Sequence, residues 1–289
     1  MSIVPITAEY AEQAGQIAYE AFKDIADKHG FDPAFPSPEF ATLVVRLLIQ
    51  TESVNSYLYL NDGEPAAINF GDERDEVVGV GPVAVALKHQ GKGLGRAVME
   101  ALLESAERNG FRSVRLLQAA YNMISFSLYA GLGFEVKDAL ANFAGSPRPD
   151  EAPVDRVRDG GPDDFDALDA LCREVLRYSR RRDIERMAMF APPVVVEREG
   201  RIVAYTCRFP GEEAILGHGV AVDAQAMRDL LIGAHRIAGA PLRFSMPVSQ
   251  AETVRWCLAT GMRLKEIDTY MVRGEYEPPA GLWFPSPFY

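Results

Sequence analysis

Between residues 81 and 104 the chain passes from an apolar run, Gly81-Pro-Val-Ala-Val-Ala86, through Gln90-Gly-Lys-Gly-Leu-Gly95, into an amphipathic stretch, Arg96-Ala-Val-Met-Glu-Ala-Leu-Leu-Glu104. Apolar run, glycine-rich turn and helical periodicity predict strand, turn and helix in that order. This order places the chain among layered α/β folds, and it builds an anion site. Glycines at 91, 93 and 95 remove Cβ atoms where an anion must approach. The first N–H groups of a helix lack intrahelical partners and carry the positive end of its dipole. The turn is expected to grip a pyrophosphate. Glycines before a helix also make plain tight turns, so the spacing has to decide.

A dinucleotide fold requires Gly-x-Gly-x-x-Gly with an acidic residue about 20 positions on, and a triphosphate loop requires Gly-x4-Gly-Lys-Ser/Thr. Neither fits. Gln/Arg-x-x-Gly-x-Gly/Ala does, through Gln90, Gly93 and Gly95. A second apolar run, Ser113-Val-Arg-Leu-Leu-Gln118, leads to Asn122, and the helix expected after it carries Ser125 and Tyr129 before Gly131-Leu-Gly-Phe134. In these residues the sequence resembles the GNAT acyltransferase superfamily, whose members hold the pyrophosphate of acetyl-coenzyme A in such a turn and continue with Asn-x-x-Ala/Ser-x-x-x-Tyr.

The resemblance implies an acetyl-CoA-dependent N-acetyltransferase that moves an acetyl group directly from thioester to amine, with no metal. It assigns acyl-CoA contacts to Val83, Ala84 and Val85, along which the pantetheine arm would bond as an added strand. It assigns further contacts to Gln90, Gly91, Lys92, Gly93, Leu94, Gly95 and Arg96 in the turn, and to Asn122, Ser125 and Tyr129. Proline and glycine just before Val83 predict a bulge or splay that frees backbone groups. A backbone N–H at Val83 or Ala84 is the expected oxyanion donor. Tyr129 is the expected general acid toward the departing thiolate; packing alone is the plainer role for such a tyrosine. Some relatives carry a glutamate base on the fourth strand, but here Val77-Val-Gly-Val-Gly81 stands there. The base is unassigned, with Glu76 a candidate and a water relay an equal alternative. A small-molecule amine is the expected acceptor; a protein or peptide amine, an oxygen acceptor and a non-catalytic acyl-CoA sensor fit the same motifs.

Net charge is −11 and no Lys/Arg stripe with interleaved aromatics is present, which argues against nucleic acid as a partner. No apolar stretch approaches the roughly 18 residues of a membrane span, and the N-terminus does not read as a signal peptide, so no membrane association and a cytoplasmic location are expected. Cys172, Cys207 and Cys257 show no metal or redox spacing, and buried reduced thiols are expected. Arg180-Arg-Arg182 reads as a solvated helix face and His218 as a core histidine.

The chain also repeats itself. Val83-Ala-Val85 leading into a helix matches Val220-Ala-Val222, and Ser125 to Phe134 aligns without gaps on Thr253 to Met262. Two tandem GNAT-like α/β domains with mixed sheets are expected: residues 1–145 carrying the acyl-CoA site, a linker at 146–153, and residues 154–289 as a degenerate copy. In that copy Asp223-Ala-Gln-Ala replaces the glycine turn, Gln250 stands for Asn122 and Cys257 for Tyr129. By analogy with tandem GNAT proteins its job is structural, walling the acceptor side, and the duplication leaves monomer or homodimer open. The aromatic tail, Leu282 to Tyr289, is expected to dock on its own sheet, on a partner subunit or beside the acceptor.

Overall fold

The computed structural model describes residues 2–148 and 152–286. Its contacts divide the chain into two compact units. The first runs to Glu135 and takes back Met271–Glu275; the second holds Val136–Tyr270 and the described residues from Tyr276. The units therefore divide some ten residues before the composition shift of the sequence. Of that expected linker, residues 149–151 lie outside the described residues.

In the first unit the elements are β1 (Ser2–Val4), α1 (Ala11–His29), α2 (Pro38–Ile49), β2 (Val54–Asn61), β3 (Glu64–Asp72), β4 (Val78–Val80), β5 (Ala84–Val85), α3 (Leu94–Arg108), β6 (Ser113–Ala119) and α4 (Met123–Ala130). The sheet order is β1-β2-β3-β4-β6, with residues 271–274 beyond β6. The β2–β3 hairpin closes on Asp62 and Gly63, both at positive φ, which matches the twist of the flanking strands. Strand β4 is antiparallel to β3 and parallel to β6. Helix α3 buries Leu94, Val98, Met99, Leu102, Leu103 and Ala106 against the sheet. Each of the larger side chains contributes about 1.5–3 kcal/mol of burial free energy. Ser37 caps α2 by accepting from the Phe40 amide at 3.2 Å, with Pro38 at the first helical position.

The second unit contains β7 (Glu135–Gly145) from its second residue on, β8 (Arg156–Asp159), α5 (Phe165–Leu176), α6 (Arg181–Ala188), β9 (Val194–Arg198), β10 (Arg201–Phe209), β11 (Ala214–Ala221), α7 (Ala224–Ala238), β12 (Leu242–Pro247), α8 (Ala251–Ala259), β14 (Leu282–Phe284) and, up to Tyr270, β13 (Arg263–Gly274), whose last four residues belong to the first unit. Its sheet runs β13-β7-β12-β11-β10-β9-β8, and β14 pairs with β11. A second positive-φ hairpin, Glu199-Gly200, joins β9 to β10 as Asp62-Gly63 joins β2 to β3. The repeat is thus structural as well as sequential: helix pair, hairpin, strand, helix, strand and helix recur in one order.

Three short strands, β1, β8 and β14, were not expected from the sequence, being too short for two-residue alternation to register. The strand expected over 77–86 is two pieces, broken between Val80 and Ala84. The arginine cluster departs from the sequence reading: Arg180 is buried and donates to Asp183 at 2.5 Å, leaving Arg181 to pair with Glu185 on the outer face. Among the described residues, no helix is long and apolar enough to cross a membrane.

Candidate acyl-donor site

The break between β4 and β5 creates the first component of the site. Val78 and Gly79 of β4 pair with Val114 and Arg115 of β6. Beyond Gly81 and Pro82 the chain parts from β6, and Ala84 and Val85 pair only with Ile68 and Ala67 of β3. The Gly81 amide donates to Phe70 O and the Ala86 amide to Ala66 O, both at 2.9 Å, fixing the segment at each end. Val83–Val85 therefore keeps one strand edge with no partner strand among the described residues. An extended ligand can add to such an edge.

At the end of this segment the glycine turn begins. Gly91 and Gly93 have φ of 73° and 83°, and a Cβ at either would meet open space. Their necessity lies in the left-handed backbone they hold, and that backbone turns successive amides toward one side. Gly93 is the N-cap of α3 and offers no side-chain cap. Among the described residues, none of the amides from Gly91 to Arg96 has a protein acceptor; the first helical bond is Ala97 N to Gly93 O at 3.1 Å. Gly91, Lys92 and Gly93 are exposed. Six unpartnered donors at a helix start, with its dipole behind them, form an anion cradle.

The turn's side chains mostly serve its shape. Gln90 Nε2 donates to Val85 O at 3.3 Å, and Lys92 Nζ donates to Lys88 O at 2.9 Å. Gly95 lies where a Cβ would stand 3.4 Å from both Val85 and Leu128, so α3 is seated against β5 and α4. Arg96 reaches Glu100 at 3.5 Å and passes beside Gly131. His89 is half-buried at the end of a 3-10 turn.

Asn122 and Ser125 are brought together at the start of α4. Asn122 Oδ1 accepts from the Ser125 amide at 3.1 Å, Ser125 Oγ donates to Asn122 O at 3.1 Å, and Gln118 Nε2 donates to Asn122 O and Ser125 Oγ at 2.8 and 3.2 Å. Both side chains are thereby spent on shaping the helix start, leaving the positioning of α4 as their visible work. One turn on, Tyr129 is buried among Val78, Val80, Met99, Leu102 and Phe134. Its ring centre lies 6.0 Å from that of Phe134. Burial pushes its phenol up from the ordinary range. The proton expected of a general acid is therefore firmly held, as a weaker acid than free phenol, and what the residue offers is a hydrogen-bond donor.

Glu76 is exposed at the foot of β4. Asp72 is taken by Arg74 at 2.9 Å and Glu73 accepts from Asn109 at 2.7 Å, so both have structural partners. An aromatic group that sequence patterning did not reveal stands beside Asn122: Phe31 stacks on Tyr121 with ring centres 4.4 Å apart, and His29 lies 5.3 Å from Tyr121. Phe31 and Tyr121 are some ninety positions apart in sequence, and no spacing rule links them. Among the described residues, no cluster of His, Cys, Asp or Glu is arranged to hold a metal.

The second unit builds the corresponding places differently. Asp223, extended at φ −151°, caps α7 by accepting from Ala226 N at 2.8 Å and pairs with Arg198 at 2.6 Å. Arg198 holds its carboxyl below the usual range. A helix start capped by a carboxylate offers an anion fewer bare amides and repels it by charge. Cys257, fully buried, has its thiol pushed up to about 12 by burial.

Residues 18–134 match the model of the acetyltransferase (GNAT) family. No curated protein matches the chain by sequence. Among solved structures the chain is similar to a protein of Pyrococcus horikoshii described as an acetyltransferase, with 15% identity, 97% of this chain and 93% of that one covered, and a TM-score of 0.74. It is similar to a GCN5-related N-acetyltransferase from Sphaerobacter thermophilus, with 15% identity, 96% of each chain covered and a TM-score of 0.64. A tandem GNAT protein from the clavulanic acid biosynthesis pathway aligns at 14% identity over 97% of this chain and 98% of that one, with a TM-score of 0.62. Residues 18–134 thus carry the match to the acetyltransferase (GNAT) family, and over its whole length the chain has the fold of a tandem GNAT protein.

Proposed function

We propose that the first unit is an acetyl-CoA-dependent N-acetyltransferase acting on a primary amine of a small molecule. The observation that carries this reading is the run of unpartnered amides from Gly91 to Arg96 at the end of a strand, Val83–Val85, with one open edge. Together they offer an anion cradle and a strand-pairing edge in series, matching a pyrophosphate followed by an amide-bearing arm. Gln90, Lys92, Leu94 and Gly95 shape the turn, Arg96 and Lys92 add positive charge, and Asn122 and Ser125 hold α4. A backbone N–H at Val83 or Ala84 faces the developing oxyanion. Such a donor is worth roughly 3 kcal/mol in the transition state.

The acceptor amine attacks the thioester carbonyl directly, and the C–S bond breaks as the thiolate leaves. Tyr129 donates to the sulfur. The acceptor's proton passes to water or to a carboxylate by relay, with Glu76 the candidate. The aromatic group His29, Phe31 and Tyr121 beside the start of α4 favours an acceptor with a flat or cationic portion.

Calorimetry with acetyl-CoA on the native chain and on Gly93→Asp, followed by thiol release across a panel of amines, tests the reading. One acetyl-CoA per native chain, lost in the variant, and turnover on an amine are expected. Failure of the native chain to bind acetyl-CoA overturns the proposal.

A further inference from the structure

In the second unit, strand β11 parts from β12 as β4 and β5 part from β6. Ala214 and Ile215 pair with Leu242 and Arg243, and beyond them the parallel pairing ends. In the first unit the equivalent strand edge is open. Here it is taken: Gly219, Val220 and Ala221 pair antiparallel with Phe284, Trp283 and Leu282 of β14. The stretch covered, 219–221, overlaps Val220-Ala-Val222, the segment that repeats Val83-Ala-Val85.

Other residues in the cleft have adapted to this occupant. Gln250 stands at the start of α8 as Asn122 stands at the start of α4, yet it caps nothing; its Nε2 donates instead to Trp283 O at 2.6 Å. Gly219 admits Phe284, since a Cβ there would lie 2.5 Å from the Phe284 ring. Gly281 approaches the chain as closely, a Cβ meeting Ala221 O at 2.6 Å, and Ala280 N donates to Val175 O at 2.8 Å. Phe284 and Trp283 are 0% and 5% exposed, with ring centres 5.6 Å from Phe244 and 5.0 Å from Tyr270. A loosely lying tail would show none of these fitted contacts.

We propose that Gly281–Phe284 is a built-in strand ligand: the second unit retains the strand-accepting cleft of its fold and fills it with its own C-terminal segment in place of an acyl-donor arm. This rests on reading that unit as a copy whose acyl-CoA site has been lost. Bare amides and a free strand edge are the two things an acyl donor needs. Asp223 caps the helix start and sets a negative charge there, and β14 occupies the strand edge. The cleft is therefore a peptide site, selective for a short extended segment bearing two adjacent aromatics, and the chain saturates it at unit effective occupancy because the ligand is tethered.

Three measurements on the full-length protein test this. In native hydrogen exchange, amides of residues 282–284 and 219–221 should be protected to a similar degree and open together; exchange at 282–284 as fast as in a frayed terminus overturns the proposal. The double variant Trp283→Ala, Phe284→Ala should lower the melting midpoint by on the order of 10 °C. A synthetic peptide of residues 279–286 should bind that variant at one per chain and restore the midpoint, yet leave the native protein unchanged. An unshifted midpoint, or a folded variant indifferent to the peptide, overturns the proposal. Acetyl-CoA titrated into both proteins should give one equivalent per chain in each. Two equivalents in the variant would make the tail a plug over a working second site and refute the replacement, whereas none in the native chain refutes the acetyltransferase reading and leaves the tail's result standing.

Discussion

Asp183 Oδ2 accepts from His218 Nδ1 at 2.9 Å, and both side chains are only 3% exposed. With its proton on Nδ1, His218 accepts at Nε2 from the Tyr205 hydroxyl at 2.9 Å, while Arg180 supplies a second donor to the carboxylate at 2.5 Å. A buried carboxylate is tolerated only when its lone pairs are met, and removing one member strands the others. Asp183→Ala should therefore destabilise the second unit by about 3–5 kcal/mol. Tyr205→Phe, which removes a hydroxyl bonded to His218 and Cys172, should cost about 1–3 kcal/mol. Urea unfolding of both variants checks the order.

Tyr129→Phe should lower turnover by roughly 100-fold or more while leaving acetyl-CoA affinity within about twofold, because uniform binding does not involve the hydroxyl. Its melting temperature should stay near that of the native protein, since the ring and its apolar packing are kept. Steady-state kinetics combined with calorimetry separates these terms. A large loss of affinity would place the hydroxyl in binding instead.

Asp268 is half-buried, receives a hydrogen bond from Asn142 at 2.7 Å, and has its carboxyl pushed up by desolvation. A carboxylate whose folded pKa is raised contributes most below its unfolded value, 3.8, and loses that contribution as pH rises through the folded value. At neutral pH the charge is therefore a burden. Asp268→Asn should be more stable than the native chain at pH 7, with the advantage vanishing below about pH 3.8. Paired melts across that range decide it.

All three cysteines are buried. Burial pushes the Cys257 thiol up to about 12 and holds Cys207 well above its ordinary value. The native protein should resist thiol alkylation at pH 7.5, and all three should react once it is unfolded. Fast labelling of a single site in the folded protein would contradict the packing of α5, β10 or α8.

Much of this was legible because local physics and global fold agree. The helix over Leu94–Arg108, the strands beside it and the repeat of the plan follow from apolar periodicity and from glycines at Gly91 and Gly93 that the backbone cannot do without. Gly81 and Pro82 announced the splay, and His218 does lie in the core. The misreading at Arg180 came from treating a run of like charges as a surface; its buried partner Asp183, itself bonded to His218, is set by packing between α6 and β11. The stacking of Phe31 on Tyr121 and the pairing of β14 with β11 are long-range choices, and no local pattern encodes which distant strand edge or ring a segment will meet.

The first unit is completed by Met271–Glu275, where Glu275 N donates to Arg112 O at 2.8 Å and Arg112 pairs with Glu275 at 3.2 Å. During synthesis, everything up to Glu135 leaves the ribosome before residues 136–270 have been made. At ordinary translation rates that interval is on the order of ten seconds, far longer than helices and hairpins need to form. Throughout it, β6 presents an unpaired backbone edge to the cell. Nascent chains of this protein thus pass through an obligatory period of stickiness, and a premature stop between residues 136 and 270 yields a first unit that keeps this unsealed edge.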